Sequence, residues 1–93
     1  MLILGREKLD AFARQHAGAR PWIENWIAET RRLRWRKPQD IRNLFASASF
    51  LPDNRVVFNV KGNRYRLEVR IAYESGLVVI LRIGTHTEYS QWT

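Results

Sequence analysis

The strongest constraint in this 93-residue chain is a pair of alternating segments joined by Gly62-Asn63. From Arg64 to Glu74, Tyr65, Leu67, Val69, Ile71 and Tyr73 alternate with Arg64, Arg66, Glu68, Arg70, Ala72 and Glu74. A period of two puts each set on its own side of a strand, so this segment is half-buried with one polar face. Arg55 to Lys61 precedes it, and Gly62-Asn63 is a two-residue hairpin signal because both residues tolerate positive φ. That turn sets the register. Lys61 faces Arg64, Asn59 faces Arg66, Val57 faces Glu68 and Arg55 faces Arg70, while Val60, Phe58 and Val56 face Tyr65, Leu67 and Val69. Both sets agree with one buried and one polar face, so the pairing is internally consistent.

Leu77 to Ile83 is apolar almost throughout, as a central strand requires. A three-residue loop, Glu74-Ser75-Gly76, places Arg82 opposite Glu68 and puts Val79, Leu81 and Ile83 on the face of Leu67 and Val69. A two-residue loop would drive Arg82 into the core, at a high desolvation cost. Upstream, Leu2 to Leu4 reads as an edge strand. Residues 6 to 16 have helical spacing, with Leu9, Phe12, Ala13 and His16 on one face and Gly18 as the stop. Pro21 suits the first turn of a second helix, whose face carries Trp22, Ile23, Trp26, Ile27, Thr30 and Leu33. Pro38 stops that helix or opens the next. Asp40 to Phe45 reads as a short helix packing Ile41, Leu44 and Phe45, and Ala46 to Asn54 as a loop with a turn at Pro52-Asp53-Asn54. The length suits one domain over residues 1–93.

Sixteen Lys and Arg against nine Asp and Glu give a net charge of +7, and 13 of the 16 cations are Arg. Guanidinium favours planar anionic partners such as phosphate and carboxylate. The absence of Cys excludes disulfides, thiol nucleophiles and zinc fingers. His16 and His86 lie far apart in sequence, so no metal site is expected, and without GxGxxG or a Walker loop no cofactor is expected. Leu2 to Leu4 is too short for a signal peptide and Leu77 to Leu81 far too short for a membrane span, so the expected location is the cytoplasm.

On the hairpin register one sheet face carries Arg55, Asn59, Lys61, Arg64, Arg66 and Arg70, with Arg82 beside them and partly neutralised by Glu68. Same-face neighbours on a strand are roughly 7 Å apart, close to the spacing of phosphates in a single strand. A solvated outer face with Arg stems covering the sheet is the alternative. The tail Gly84-Thr85-His86-Thr87-Glu88-Tyr89 leaves the last strand near Arg66. His86 brings an imidazole, a side chain suited to giving and taking protons, and Tyr89 three residues on shares its surface if the tail turns helically. A His, a Tyr and several cations suit phosphoryl transfer by an adjacent 2′-hydroxyl, a reaction that needs no metal. A second basic run, Arg31, Arg32, Arg34, Arg36 and Lys37, encloses Trp35 at a helix C-terminus, where the dipole favours cations. It suits a nucleic-acid contact or a dock for an acidic protein segment. Trp22 and Trp26 read as core, Trp35 and Trp92 as packing residues with exposed base-stacking as the alternative, and His16 receives no function.

Val56-Val57-Phe58-Asn59-Val60-Lys61-Gly62-Asn63-Arg64-Tyr65-Arg66-Leu67, followed by Gly84-Thr85-His86-Thr87-Glu88-Tyr89, resembles the HigB-type toxins of bacterial toxin–antitoxin systems, part of the RelE-like group of mRNA interferases. Pro38-Gln39-Asp40, Asp53-Asn54-Arg55 and the helix order resemble that family too. The resemblance implies an α+β, RelE-like fold with N-terminal helices packed on a small, mainly antiparallel sheet. It implies cleavage of mRNA, often on the ribosome, and neutralisation by a HigA-type helix-turn-helix antitoxin in a hetero-oligomer, with no membrane partner. On this reading Arg66 stabilises charge at phosphorus with Lys61 assisting, His86 and Tyr89 handle protons or orient the scissile nucleotide, and Asn59, Asn63, Arg64, Arg55, Arg70 and Arg82 hold RNA. Arg66→Ala is then expected to slow cleavage while leaving the fold intact. A non-catalytic RNA- or ribosome-binding module uses the same face without His86 and Tyr89 chemistry. A protein-interaction domain uses the cations only to receive an acidic partner.

Overall fold

The computed structural model describes residues 1–92. Its elements run β1 (Leu2–Leu4), α1 (Arg6–Gln15), a 3-10 turn (Ala17–Ala19), α2 (Arg20–Arg32), α3 (Pro38–Arg42), β2 (Ser49–Leu51), β3 (Arg55–Val60), β4 (Tyr65–Ala72), β5 (Leu77–Thr85) and α4 (His86–Tyr89). One five-stranded sheet has the order β1-β5-β4-β3-β2; only the β1–β5 pair is parallel. This is the expected α+β architecture, with helices on a mainly antiparallel sheet.

The β3–β4 register is the one the alternation demands, from Arg55 opposite Arg70 to Val60 opposite Tyr65. The core lies on one side of the sheet. Val56, Phe58, Val60, Leu67, Val69, Ile71, Val78 and Ile80 meet Leu9, Phe12 and Ala13 of α1 and Ile23, Trp26 and Ile27 of α2. Trp35 is buried in that core against Phe45 and Phe58, so the Trp inside the basic run is a packing residue.

Five local expectations are corrected. The β3–β4 turn spans Lys61–Arg64, with positive φ at Lys61 (51°) and Gly62 (69°) instead of at Gly62 and Asn63. The regular ladder therefore stops at Val60 and Tyr65, and Lys61 meets Arg64 only across the turn, where the Arg64 N–H donates to the Lys61 carbonyl at 3.4 Å. The first helix ends at Gln15, and Gly18 lies in the 3-10 turn beyond it. The short third helix is Pro38–Arg42, earlier than Asp40–Phe45, because proline at its start needs no N–H partner. Leu44 consequently lies outside the helix and is 46% exposed. The loop Ala46–Asn54 contains β2, which pairs with Arg55–Val57 across a turn where Asp53 and Asn54 take φ of 65° and 59°. Asp and Asn accept that left-handed conformation better than most residues.

The fifth correction concerns β5. Ala72 faces Leu77 and Val69 faces Ile80, but Glu68 faces Arg82. A β-bulge therefore leaves Leu81 as the extra residue and reverses the alternation within the strand. Before the bulge, Val78 and Ile80 are the buried residues rather than Val79 and Leu81. After it, Arg82 takes the polar face opposite Glu68, as expected, and Ile83 packs against the core. Without the bulge the same strand would have to bury Arg82 or expose Ile80. No helix in the described residues is long and apolar enough to cross a membrane.

Candidate nucleic-acid interface

The polar sheet face is built around one carboxylate. Glu68 is only 3% exposed, and it accepts from Arg82 Nε at 2.8 Å and from Arg55 at 3.1 Å. Two of the expected phosphate-binding guanidiniums are thus already paired within the chain. Arg82 also lies under the Trp92 ring, 4.4 Å from its centroid. Arg70 is exposed and donates to the Asp53 carbonyl at 3.3 Å. The face is basic, but its centre is an Arg–Glu–Arg cluster rather than a bare row of cations.

The end of the sheet next to the Lys61–Arg64 turn is arranged differently, because α4 folds across it. Gly84 makes this possible. A β-carbon there would stand 3.0 Å from the Trp92 ring and 3.2 Å from the Glu88 side chain, tighter than ordinary van der Waals contact. Thr85 and Glu88 then form a capping box: Glu88 N–H donates to Thr85 Oγ1 at 3.1 Å, and Thr85 N–H donates to Glu88 Oε1 at 2.8 Å. His86 N–H donates to the Arg64 carbonyl at 3.0 Å and ties the helix to the turn. Within Gly84-Thr85-His86-Thr87-Glu88-Tyr89, three residues thus build the helix, while the His86 side chain remains exposed and Tyr89 half-buried.

Tyr89 lies over Arg66, whose guanidinium carbon is 5.3 Å from the ring centroid. Arg66 is 8% exposed and donates to the carbonyls of Asn63 (3.0 Å) and Tyr65 (3.2 Å) and to Asn63 Oδ1 (3.3 Å). Arg66, Tyr89, Asn63 and the start of α4 with His86 are therefore brought together. Arg64 and Asn63 are exposed beside them at the turn, and Asn59 is half-buried opposite Arg66. Lys61 is turned elsewhere: its ammonium lies against Gly18, where a β-carbon would come within 2.7 Å of Nζ. The left-handed backbone at Lys61 re-aims its side chain toward the helical layer.

His16, to which the sequence assigned no role, closes the other side of this end. Its ring stacks on Phe12 at 4.3 Å and lies 5.3 Å from Tyr65. Glu88 is held below its ordinary carboxyl pKa by hydrogen bonds from Thr85, backbone first and side chain second, with a smaller attraction to His16 opposing the effect of burial. The capping box was readable from Thr-x-x-Glu spacing; the placement of His16 was not, because a stacked His on an apolar helix face has the same sequence pattern as a core residue.

Helices on one side of a mainly antiparallel sheet, with a short C-terminal helix laid over a basic strand, have the α+β architecture of a RelE-like fold. Residues 19–92 match the family of HigB toxins, the RelE-like toxic component of a toxin–antitoxin system, and the chain belongs to that family. Its partner is accordingly an antitoxin. No curated protein matches the chain.

Proposed function

We propose that this toxin is an endoribonuclease that cleaves mRNA, on the ribosome and in the cytoplasm, by attack of a 2′-hydroxyl on the adjacent phosphorus. The 2′-hydroxyl loses its proton and forms the new P–O bond; the P–O5′ bond breaks and the 5′-oxygen gains a proton. The products are a 2′,3′-cyclic phosphate and a 5′-hydroxyl. The observation that carries this reading is the construction of α4, where Gly84, Thr85 and Glu88 hold a helix that lays Tyr89 beside the fixed Arg66 guanidinium and leaves the His86 side chain exposed at the same end of the sheet. His86 and Tyr89 move the two protons, and Arg66 stabilises charge at phosphorus with its free N–H groups. Lys61 adds positive charge from the helical side. Asn59, Asn63 and Arg64 position the nucleotides at the turn, with Arg70, Arg55 and Arg82 along the strand path. A HigA-type helix-turn-helix antitoxin neutralises the toxin in a hetero-oligomer.

The burial of Arg66 favours a second reading, a non-catalytic RNA- or ribosome-binding module in which Arg66 only supports Tyr89. Transcript ends mapped after brief induction, with and without a ribosome inhibitor, separate the two. Cleavage at cyclic-phosphate ends, reduced by about 10²-fold or more in His86→Ala and Tyr89→Ala, supports the enzyme. Uncut transcripts with stalled translation support the module. Cleavage unchanged in both variants removes α4 from the mechanism.

A further inference from the structure

The helical side of the same sheet end carries an aromatic cluster that the proposed cleavage does not use. The His16 ring stacks on Phe12 at 4.3 Å and 25°. The Tyr65 ring stands edge-on to Phe12 at 5.2 Å and lies 5.3 Å from His16. Phe12 is buried, but His16 and Tyr65 are only half-buried, so the cluster reaches solvent. Packing against two rings fixes the plane of the imidazole. Beside it Lys61 is exposed, with its ammonium against Gly18, two residues past His16. It reaches that place through a left-handed backbone, φ 51°, that residues with a β-carbon rarely adopt. Among the described residues the ammonium has no carboxylate partner.

A fixed, half-open aromatic surface next to an unpaired cation matches what single-stranded nucleic acid requires: a base stacks on the ring and its phosphate meets the cation. We propose that His16, Tyr65 and Lys61 form a second nucleotide subsite, so that single-stranded RNA wraps round the β3–β4 turn from Arg66 and lays its next base on the His16 ring. Arg64 and Asn63 are exposed between the two sides, and the Arg64 N–H donates to the Lys61 carbonyl, so the two cations share one tight turn. Glu88 orients the nucleotide. Its carboxylate is held by Thr85 and feels the charge of His16, so it repels phosphate from the ring and leaves Lys61 to receive it. An acidic protein segment is the poorer occupant, because it brings no planar base to the cluster and meets the same carboxylate. The proposal rests on the RNA substrate of the preceding reading and not on the cleavage step.

The test is titration of the full chain with a 2′-O-methyl hexanucleotide, which has no 2′-hydroxyl to attack its phosphates. Ring resonances of His16 and Tyr65 should shift on binding. An abasic residue at the position over His16 should weaken binding by about tenfold. That penalty should shrink to less than about twofold in His16→Ala and persist in His16→Phe, which keeps a stacking ring. A merely structural histidine would leave the abasic profile unchanged. Lys61→Ala should lower the slope of log affinity against log salt by about 0.7. The wild-type abasic profile in His16→Ala, or an unchanged salt slope in Lys61→Ala, would overturn the proposal. Ring shifts are read in the unsubstituted chain, so they decide even where His16→Ala fails to fold: no shift, or an equal shift with hexaglutamate, overturns it too. RNA that binds with this signature but is not cut by the chain removes the nuclease reading alone. RNA that is cut without the signature removes the subsite alone.

Discussion

The Arg66 guanidinium lies 5.3 Å from the Tyr89 ring centroid and is at the same time hydrogen-bonded to Asn63 and Tyr65. It therefore supports α4 from below as well as carrying charge to the proposed RNA site. Arg66→Ala should cost about 2–4 kcal/mol of stability, from lost charge-assisted hydrogen bonds and the lost cation–π contact. This differs from the surface role expected on the alternation alone, under which the fold would be unaffected. Arg66→Lys keeps the charge but loses the planar fork. Urea denaturation should show about half the Ala effect, and RNA cleavage, assayed well below the denaturation midpoint, should still fall by about 10²-fold. Full activity in Arg66→Lys would limit Arg66 to supporting Tyr89.

Glu68 holds Arg55 and Arg82 across three strands, and its own side chain is almost fully buried. Removing it leaves two guanidiniums close together with no counter-charge. Glu68→Ala should destabilise the chain by about 3 kcal/mol, the lower part of the range for a broken buried pair because both Arg side chains retain solvent contact. Glu68→Gln should cost less. Both variants free two cations for phosphate, so log affinity for single-stranded RNA should fall more steeply with log salt, by up to about 1.4 units of slope. An unchanged slope would mean that Arg55 and Arg82 do not reach RNA.

The β3–β4 hairpin was legible because Tyr65 to Arg70 alternates cleanly, Arg55 to Val60 alternates apart from Val57, and Gly62-Asn63 punctuates the two. The bulge in β5 was not, because Leu77–Leu81 is apolar at every position and an unbroken run carries no phase to show where the alternation reverses. Strand β2 is three residues long and lacks an alternating pattern, so only its pairing with Arg55–Val57 reveals it. At the site, His86, Tyr89 and Arg66 were placed at one end of the sheet correctly. The burial of Arg66 and the turning away of Lys61 depend on α4 and on the left-handed Lys61 backbone, which are tertiary and conformational facts that periodicity does not contain.

Glu88 gives the C-terminal helix a pH dependence with a definite sign. Its folded pKa is lowered from the ordinary value of 4.5 by the Thr85 hydrogen bonds, backbone first, so the charged form stabilises α4. That contribution is fully present above about pH 4.5 and is lost as pH falls through the lowered folded value. NMR shifts of the Tyr89 ring should move toward those of an unpacked tyrosine as the pH falls below 4.5. Glu88→Gln, which keeps an acceptor but cannot ionise, should show no such movement over the same range. The same movement in Glu88→Gln would assign the transition to another group.

Thr30 offers a test of the core that leaves the site untouched. It is fully buried on the inner face of α2, and its Oγ1 has no hydrogen-bond partner among the described residues. The Thr30 carbonyl is separately engaged, accepting from the Met1 amine at 3.0 Å, so the hydroxyl contributes nothing to that contact. Valine replaces the hydroxyl with a methyl group of nearly the same shape and has a comparable helix propensity. Thr30→Val should therefore stabilise the chain by about 1 kcal/mol, since it removes a desolvated polar group and adds apolar contact. For a domain of this size that corresponds to a rise in Tm of about 4–8 °C by differential scanning calorimetry. A fall in Tm would show that the hydroxyl has a partner in solution, and the packing around Trp26 and Trp35, whose indole N–H groups are likewise buried without one, would then need the same revision.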